Sequence, residues 1–219
     1  MSANTHFPAL IKIDYEQPEN APKQDDNADQ FSPAFPRYFL NNHAKKGAKI
    51  FDPFLGFGTT AFIAEELGFT PFGIEADELR YQWAAGQLEH WQNIRCADAF
   101  DAPDLALPKM DMLITSPPFM KISQSWNPLY AGDPQYKGYE AYLLRLTEIF
   151  MRLKPILKRG APLIIHCDNI EGKPFTPLKR DMSYAISKAG FKAITEMNII
   201  WGKNAPQNYP QTYALIFKN

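Results

Sequence analysis

Asp52-Pro53-Phe54-Leu55-Gly56-Phe57-Gly58-Thr59-Thr60 (DPFLGFGTT) decides how this chain is read. The short apolar run at residues 48–51 leads into it and ends in Asp52, as a buried parallel strand would. Residues 59–67 follow with helical character, and Gly68 stands where a helix stop belongs. Outward from there the chain alternates. Residues 71–74 predict a strand ending at Glu75, residues 78–91 a helix built on Leu79, Trp83, Leu88 and Trp91, and residues 94–97 a strand ending at Asp98. Residues 110–115 predict a fourth strand that runs into Ser116-Pro117-Pro118. The stretch 139–157 reads as a long helix, because Tyr142, Leu143, Leu146, Ile149, Phe150 and Leu153 recur at helical spacing. A fifth strand at 163–166 ends in His166. A helix at 178–189 is closed by Gly190, and 191–201 with 212–217 form a final strand pair.

Alternating strands and helices imply an α/β, doubly wound (Rossmann-like), mostly parallel sheet with helices on both faces. Five strand–helix steps followed by two successive strands match the order of a class I methyltransferase sheet: seven strands with an antiparallel last strand. Residues 30–219 read as that single domain. Residues 1–29 read as an N-terminal arm, partly flexible, because 13–30 is polar and carries Asp25, Asp26 and Asp29.

Composition narrows the partners. Lys and Arg total 23 against 24 Asp and Glu, so no global field draws the chain to polyanions and a nucleic-acid substrate needs a local patch. Lys45, Lys46 and Lys49 are a solvated basic surface rather than a phosphate track. Cys96 and Cys167 make neither a disulfide framework nor a zinc site. Residues 1–10 lack the basic start and apolar run of a signal peptide, and no stretch has the length of a membrane span. The expectation is a cytoplasmic protein without a metal or a membrane partner.

In a doubly wound sheet, ligands bind at the carboxyl ends of the strands. Gly56 and Gly58 let backbone approach a ligand there, and Thr59 and Thr60 are placed to cap the next helix. No Lys follows Gly58, so the loop is not a P-loop, and the third glycine of a dinucleotide fingerprint is missing. A carboxylate directly before the loop disfavours a pyrophosphate and suits an ammonium group, such as that of S-adenosylmethionine. Glu75 follows Gly56 at about the twenty-residue spacing used to hold ribose hydroxyls. Asp98, followed by Ala99, is placed to accept from an adenine amino group.

Ser116-Pro117-Pro118-Phe119 lies beside the same crevice. Its prolines stiffen the backbone and remove two amide donors, leaving carbonyls free to accept. Phe119 offers a flat stacking surface. An exocyclic nucleobase amine is a weak nucleophile, since its lone pair is delocalised into the ring. The Ser116 hydroxyl and Pro117 carbonyl could hold its N–H bonds and aim the lone pair, while Phe119 stacks on the base. A base inside a duplex must first be flipped out.

DPFLGFGTT resembles the cofactor loop of amino-methylating DNA methyltransferases, and TSPPF at 115–119 resembles the catalytic loop of the N4-cytosine members. That resemblance implies S-adenosyl-L-methionine as cofactor and S-adenosyl-L-homocysteine as product. It assigns Asp52, Pro53, Phe54, Gly56, Gly58, Thr59, Thr60, Glu75, Asp98 and Ala99 to the cofactor. Residues 30–42 resemble the segment that closes over the methionine moiety, which adds Phe35 and Pro36. Family members that act on adenine N6 or guanine N2 more often carry Asp or Asn in place of Ser116, so Ser116 favours cytosine N4. The order of the two loops is one of the family's permuted orders.

A separate target-recognition region is missing, leaving loops 121–138, 168–177 and 202–211 to contact substrate. Trp126, Tyr130 and Lys203 are the candidates. DNA is favoured over RNA as the partner, although the neutral charge and missing recognition region suit RNA, whose structure can supply specificity. A homodimer or partner subunit could provide target recognition. A small-molecule or protein amine, or a silent cofactor-binding subunit, are the remaining alternatives.

Overall fold

A computed structural model of the chain describes residues 6–18 and 30–219. Its strands are β1 (Leu10–Ile13), β2 (Lys49–Asp52), β3 (Thr70–Glu75), β4 (Ile94–Cys96), β5 (Met112–Thr115), β6 (Pro162–Cys167), β7 (Lys192–Trp201) and β8 (Gln211–Lys218). Its α-helices are α1 (Ala34–His43), α2 (Thr59–Glu66), α3 (Glu78–Ala85), α4 (Tyr139–Leu153) and α5 (Leu178–Lys188). One sheet runs β1-β7-β8-β6-β5-β2-β3-β4. β8 is antiparallel to both neighbours, while the other pairings are parallel.

The sheet has eight strands, not seven. The added strand is β1, from the segment expected to be an arm. It pairs in parallel with β7, Leu10 against Asn198 and Ile13 against Trp201. Its residues alternate between exposed and half-buried, so its apolar signal is weak, yet it covers an edge that would otherwise leave backbone groups unpaired. Asp25, Asp26 and Asp29 lie outside the described residues.

Two helices also stop earlier than their patterns suggest. α3 ends at Ala85, and Gly86 follows as its C-cap. Leu79 and Trp91 are exposed rather than core-facing, because the chain turns here to enter β4. α4 ends at Leu153 and tightens into a 3-10 turn over Lys154–Ile156, where Pro155 has no amide to continue the ladder.

α4 lays Tyr142, Leu146, Ile149, Phe150 and Leu153 on one sheet face, packed with Met182 and Ile186 of α5. Phe35, Phe39 and Leu40 of α1 and Ile63 of α2 pack on the other. Both strand faces are thereby covered, which explains the continuous apolar runs of β5 and β6. β2 and β5 are neighbours although the chain builds β3 and β4 between them. That reversal of direction is the switch point, the place at which doubly wound sheets bind ligands beyond their strand ends.

Candidate active site

Asp52 and Thr115 close β2 and β5 and meet across the switch point. The Thr115 hydroxyl donates to Asp52 Oδ1 at 2.5 Å, and the Phe54 amide donates to the same oxygen at 3.0 Å. Asp52 is 2% exposed. Its other oxygen, Oδ2, is buried and has no hydrogen-bond partner among the described residues. Burial pushes the carboxyl up to about 6, against the pull of the Thr115 and Thr60 hydroxyls and the Phe54 amide. A buried carboxylate oxygen that lacks a donor is suited to a cationic ligand.

The next turns hold the loop open. Gly56 has φ +56° and Gly58 φ +91°, both in the left-handed region. A Cβ on Gly58 would also lie 2.9 Å from the Phe62 ring. Glu75 braces the loop from the end of β3: its Oε2 accepts from the Gly56 amide at 2.6 Å and its Oε1 from the Asp77 amide at 2.9 Å. Burial raises its pKa, partly offset by these amides. Thr59 and Thr60 do not cap α2, whose N-cap is Gly58. The chain enters that helix through a glycine, so their hydroxyls turn sideways, Thr59 to Gln30 Oε1 and Thr60 to the Ile114 carbonyl.

Asp98 follows β4 and is more engaged than its position suggests. Oδ1 caps the Phe100 amide at 2.8 Å, and Oδ2 accepts from Arg145 Nη2 at 3.0 Å. The Arg145 guanidinium also lies 3.9 Å from the Phe100 ring centre and 4.8 Å from that of Tyr130. Ala99 is buried behind it.

The Ser-Pro-Pro-Phe loop leaves β5 in register with β6, where Thr115 pairs with Ile165. The following residues, Ser116 and His166, therefore stand side by side, with Ser116 Oγ 3.0 Å from His166 Nδ1. His166 Nε2 lies 2.9 Å from Thr212 Oγ1 and 3.1 Å from the Tyr209 hydroxyl, which donates to Asp168 Oδ2 at 2.7 Å. Pro117 is buried, while Ser116, Pro118 and Phe119 keep some exposure. The Phe119 ring stacks parallel to His166 at 5.9 Å, and Phe31 stacks on it at 5.1 Å. Burial lowers the His166 pKa, with Asp168 acting in the opposite direction.

The other predicted residues separate into groups. Pro53, Phe54, Gly56, Gly58, Thr59 and Thr60 gather around Asp52. Phe35 has no accessible surface, and its ring packs edge-on against His166; Pro36 is buried beside it in α1. Tyr130 faces Arg145 and stacks on Tyr136 at 4.2 Å, so it braces the Asp98 side of the site. Trp126 is half-exposed, with its indole against Gly132, where any Cβ would collide with it. The loop carrying both is ordered by buried Asn127, which accepts from the Leu129 amide and donates to the Tyr136 carbonyl. Lys203 is exposed, and its backbone is tied to Asp14 and Tyr15. Loop 202–211 brings Tyr209 against His166 and Asp168. The sequence reading left out Tyr209, Thr212 and Asp168. Their signal was the matching ends of two adjacent parallel strands, Ser116 and His166, which puts the neighbours of His166 near the catalytic loop.

The family model described as DNA methylase matches residues 11–85, a segment that contains the glycine loop and Glu75 and stops short of TSPPF. No curated protein sequence matches the chain. Among solved structures, TrmN from Thermus thermophilus superposes with a TM-score of 0.58 at 18% identity, covering 86% of this chain and 49% of that one. This chain has the class I methyltransferase fold. A TehB-like S-adenosylmethionine-dependent methyltransferase from Corynebacterium glutamicum shares this methyltransferase fold with a TM-score of 0.55 at 13% identity, covering 84% and 87% of the two chains. So does a precorrin-6y C5,15-methyltransferase from Geobacter metallireducens, with a TM-score of 0.55 at 13% identity and coverage of 88% and 90%. The chain spans about half the length of the TrmN structure and most of the other two. The resemblance to N4/N6 DNA methylases read from the glycine loop is borne out by the matched segment. Among the described residues, no helix is long and apolar enough to cross a membrane.

Proposed function

We propose that this chain transfers a methyl group from S-adenosylmethionine to an exocyclic amino group of a nucleobase, with cytosine N4 in DNA as the leading target. The carrying observation is the Asp52–Thr115 hydrogen bond, which sets the glycine loop and the Ser-Pro-Pro-Phe loop edge to edge at the switch point. The residues present suit the cofactor. Asp52 Oδ2 is a buried acceptor without a donor among the described residues, fitted to the methionine ammonium. Glu75, held by two backbone amides, keeps lone pairs for ribose hydroxyls. Asp98 and Ala99 border the adenine end. S-adenosylmethionine, when bound, supplies the electrophilic methyl group.

The chain's own residues then act on the amine. Ser116 Oγ and the Pro117 carbonyl accept its N–H bonds, which directs the nitrogen lone pair. Phe119 offers a ring face to the base, and its position against His166 limits how far that ring can swing. Positioning of this kind supplies the main rate advantage where neither partner needs covalent activation. Exposed Trp126 stands at the rim as a stacking residue for substrate, and Lys203 as a phosphate contact.

Two measurements test the reading. Methyl transfer from labelled S-adenosylmethionine is followed on single- and double-stranded DNA, on RNA and on free nucleosides, with the product nucleoside identified by mass spectrometry. N4-methylcytosine in DNA is the expected product. An N-methylated base in RNA alone would move the polymer and keep the chemistry, while transfer to none of them would overturn the proposal. Ser116→Ala and Phe119→Ala should retain cofactor binding and lose transfer; full activity in both would remove the loop from the reaction.

A further inference from the structure

We infer that His166, acting through Ser116, takes up the proton of the methylated amine, and that Tyr209 and Asp168 set the tautomer that lets it do so. The inference rests on the amino-methylation reading and deepens it by assigning where the proton goes.

The directions of the hydrogen bonds follow from counting protons. The Tyr209 hydroxyl gives its single proton to Asp168 Oδ2 at 2.7 Å. Burial and the Asp168 charge hold that phenol far above its usual range, so it stays protonated. Having donated to a carboxylate, its oxygen can only accept from His166 Nε2 at 3.1 Å. We therefore assign the ring hydrogen to Nε2, shared with the Thr212 oxygen at 2.9 Å, with the Thr212 hydroxyl proton directed to the Tyr209 oxygen. A neutral imidazole has one N–H, so Nδ1 is bare and accepts from the Ser116 hydroxyl at 3.0 Å. Ser116 is thereby fixed as a donor to histidine, and its oxygen lone pairs are left for an amine N–H. With the opposite tautomer the same serine would compete as a donor and repel the amine.

The arrangement also completes the proton account. After methyl transfer the substrate nitrogen bears a positive charge and one proton more than the product. That proton passes to Ser116 Oγ as the serine's own proton moves to His166 Nδ1. The nitrogen keeps the bonding pair, serine is regenerated, and the charge moves to an imidazolium facing Asp168. Release of that proton to solvent resets the site. The groups facing His166 are Ser116 just after β5, Asp168 just after β6, Tyr209 in the loop before β8, Thr212 at the start of β8, and the rings of Phe31, Phe35 and Phe119. Among the described residues, Asp168 is the carboxylate within ion-pair reach, 3.9 Å from Nε2. Tyr15 packs edge-on against Tyr209 behind it.

His166 is a positioning residue in this scheme, and its test separates proton uptake from architecture. In the first experiment, ¹⁵N-histidine NMR of the ligand-free protein reads the tautomer directly. A neutral ring protonated at Nε2 is expected, with the bias weakened in Tyr209→Phe. A ring protonated at Nδ1 would overturn the inference whatever the substrate proves to be. In the second, the rate is measured against pH at saturating S-adenosylmethionine, which removes the ionisation of Asp52 from the profile. His166→Asn keeps a hydrogen-bonding partner for Ser116 but cannot take up a proton. It should lose about a hundredfold or more in kcat, with KM little changed, and lose the ascending limb of the pH profile. Tyr209→Phe, which leaves the imidazole in place, should lose about tenfold and covers the case in which the asparagine variant does not fold. Wild-type kcat and an unchanged limb in either folded variant would refute the inference while leaving the methylation reading intact. Failure to methylate any nucleobase would instead sink that reading while leaving the NMR result standing.

Discussion

Replacing Asp52 by asparagine separates what the site needs from what the fold would prefer. In the folded chain the carboxyl is pushed up to about 6 by burial, from an ordinary value near 3.8. The ionised form is therefore less stable in the folded chain than in the unfolded one. The sign follows from linkage: a raised carboxyl binds its proton more tightly when folded, so this residue costs nothing below about pH 4 and its full penalty above pH 6. The distance between the two values corresponds to about 3 kcal/mol, of which roughly half develops between pH 5 and pH 8. Asparagine introduces its own offset, because an amide replaces a carboxylate oxygen at a buried position, but that offset does not vary with pH. The stability of Asp52→Asn relative to wild type, from urea titrations without ligand, should thus rise by about 1.5 kcal/mol from pH 5 to pH 8. Binding should show the reverse. Calorimetry with S-adenosylmethionine should find the wild type about tenfold weaker at pH 5 than at pH 8, as the partner of the ammonium becomes protonated. The asparagine protein should bind at least about a hundredfold more weakly at pH 8. A stability difference that is flat with pH, or an affinity that is the same in both proteins, would refute the reasoning.

Three further outcomes are expected. Glu75→Ala strands the Gly56 and Asp77 amides and should cost about 2–4 kcal/mol in chemical denaturation, together with cofactor affinity; a loss under about 0.5 kcal/mol would mean these bonds do not hold the loop. Gly58→Ala forces a side chain into φ +91° beside Phe62 and should cost about 1–3 kcal/mol in the same assay, with no change taken as evidence that the turn relaxes freely. Leu146→Ala, at a fully buried position of α4, should cost about 2–5 kcal/mol without altering kcat per folded molecule; an activity loss at equal folded fraction would show that α4 acts on the site directly.

What the sequence disclosed and what it concealed divide along physical lines. The core strands were legible because each is a short apolar run ended by a polar residue, and α4 because six apolar residues share one stripe. β1 was hidden because an edge strand buries little and alternates weakly. The extent of α3 was misjudged because Leu88 is buried past the end of the helix while Leu79 and Trp91 are exposed. In the site, DPFLGFGTT and TSPPF were visible because each works through adjacent residues. The network behind Ser116 was not, since it joins residues 41 to 50 positions apart along the chain. Asp98 was read as a free acceptor because nothing in its surroundings along the chain points to Arg145.

The short strand β1 has a mechanical consequence. Beyond it, the Ile13 carbonyl accepts from the Gly202 amide, Asp14 holds the Lys203 amide, and the Tyr15 amide returns to the Lys203 carbonyl. The Tyr15 ring then leans on both Trp201 and Tyr209. Three residues at the rim of the sheet thus splint the root of loop 202–211, so residues 10–15 act as a tether at a distance from any reacting atom. Cutting that tether by removing residues 1–16 should leave the glycine loop able to bind its ligand while Tyr209 loses its fixed station. Residues 10–15 and loop 202–211 are two halves of one clamp.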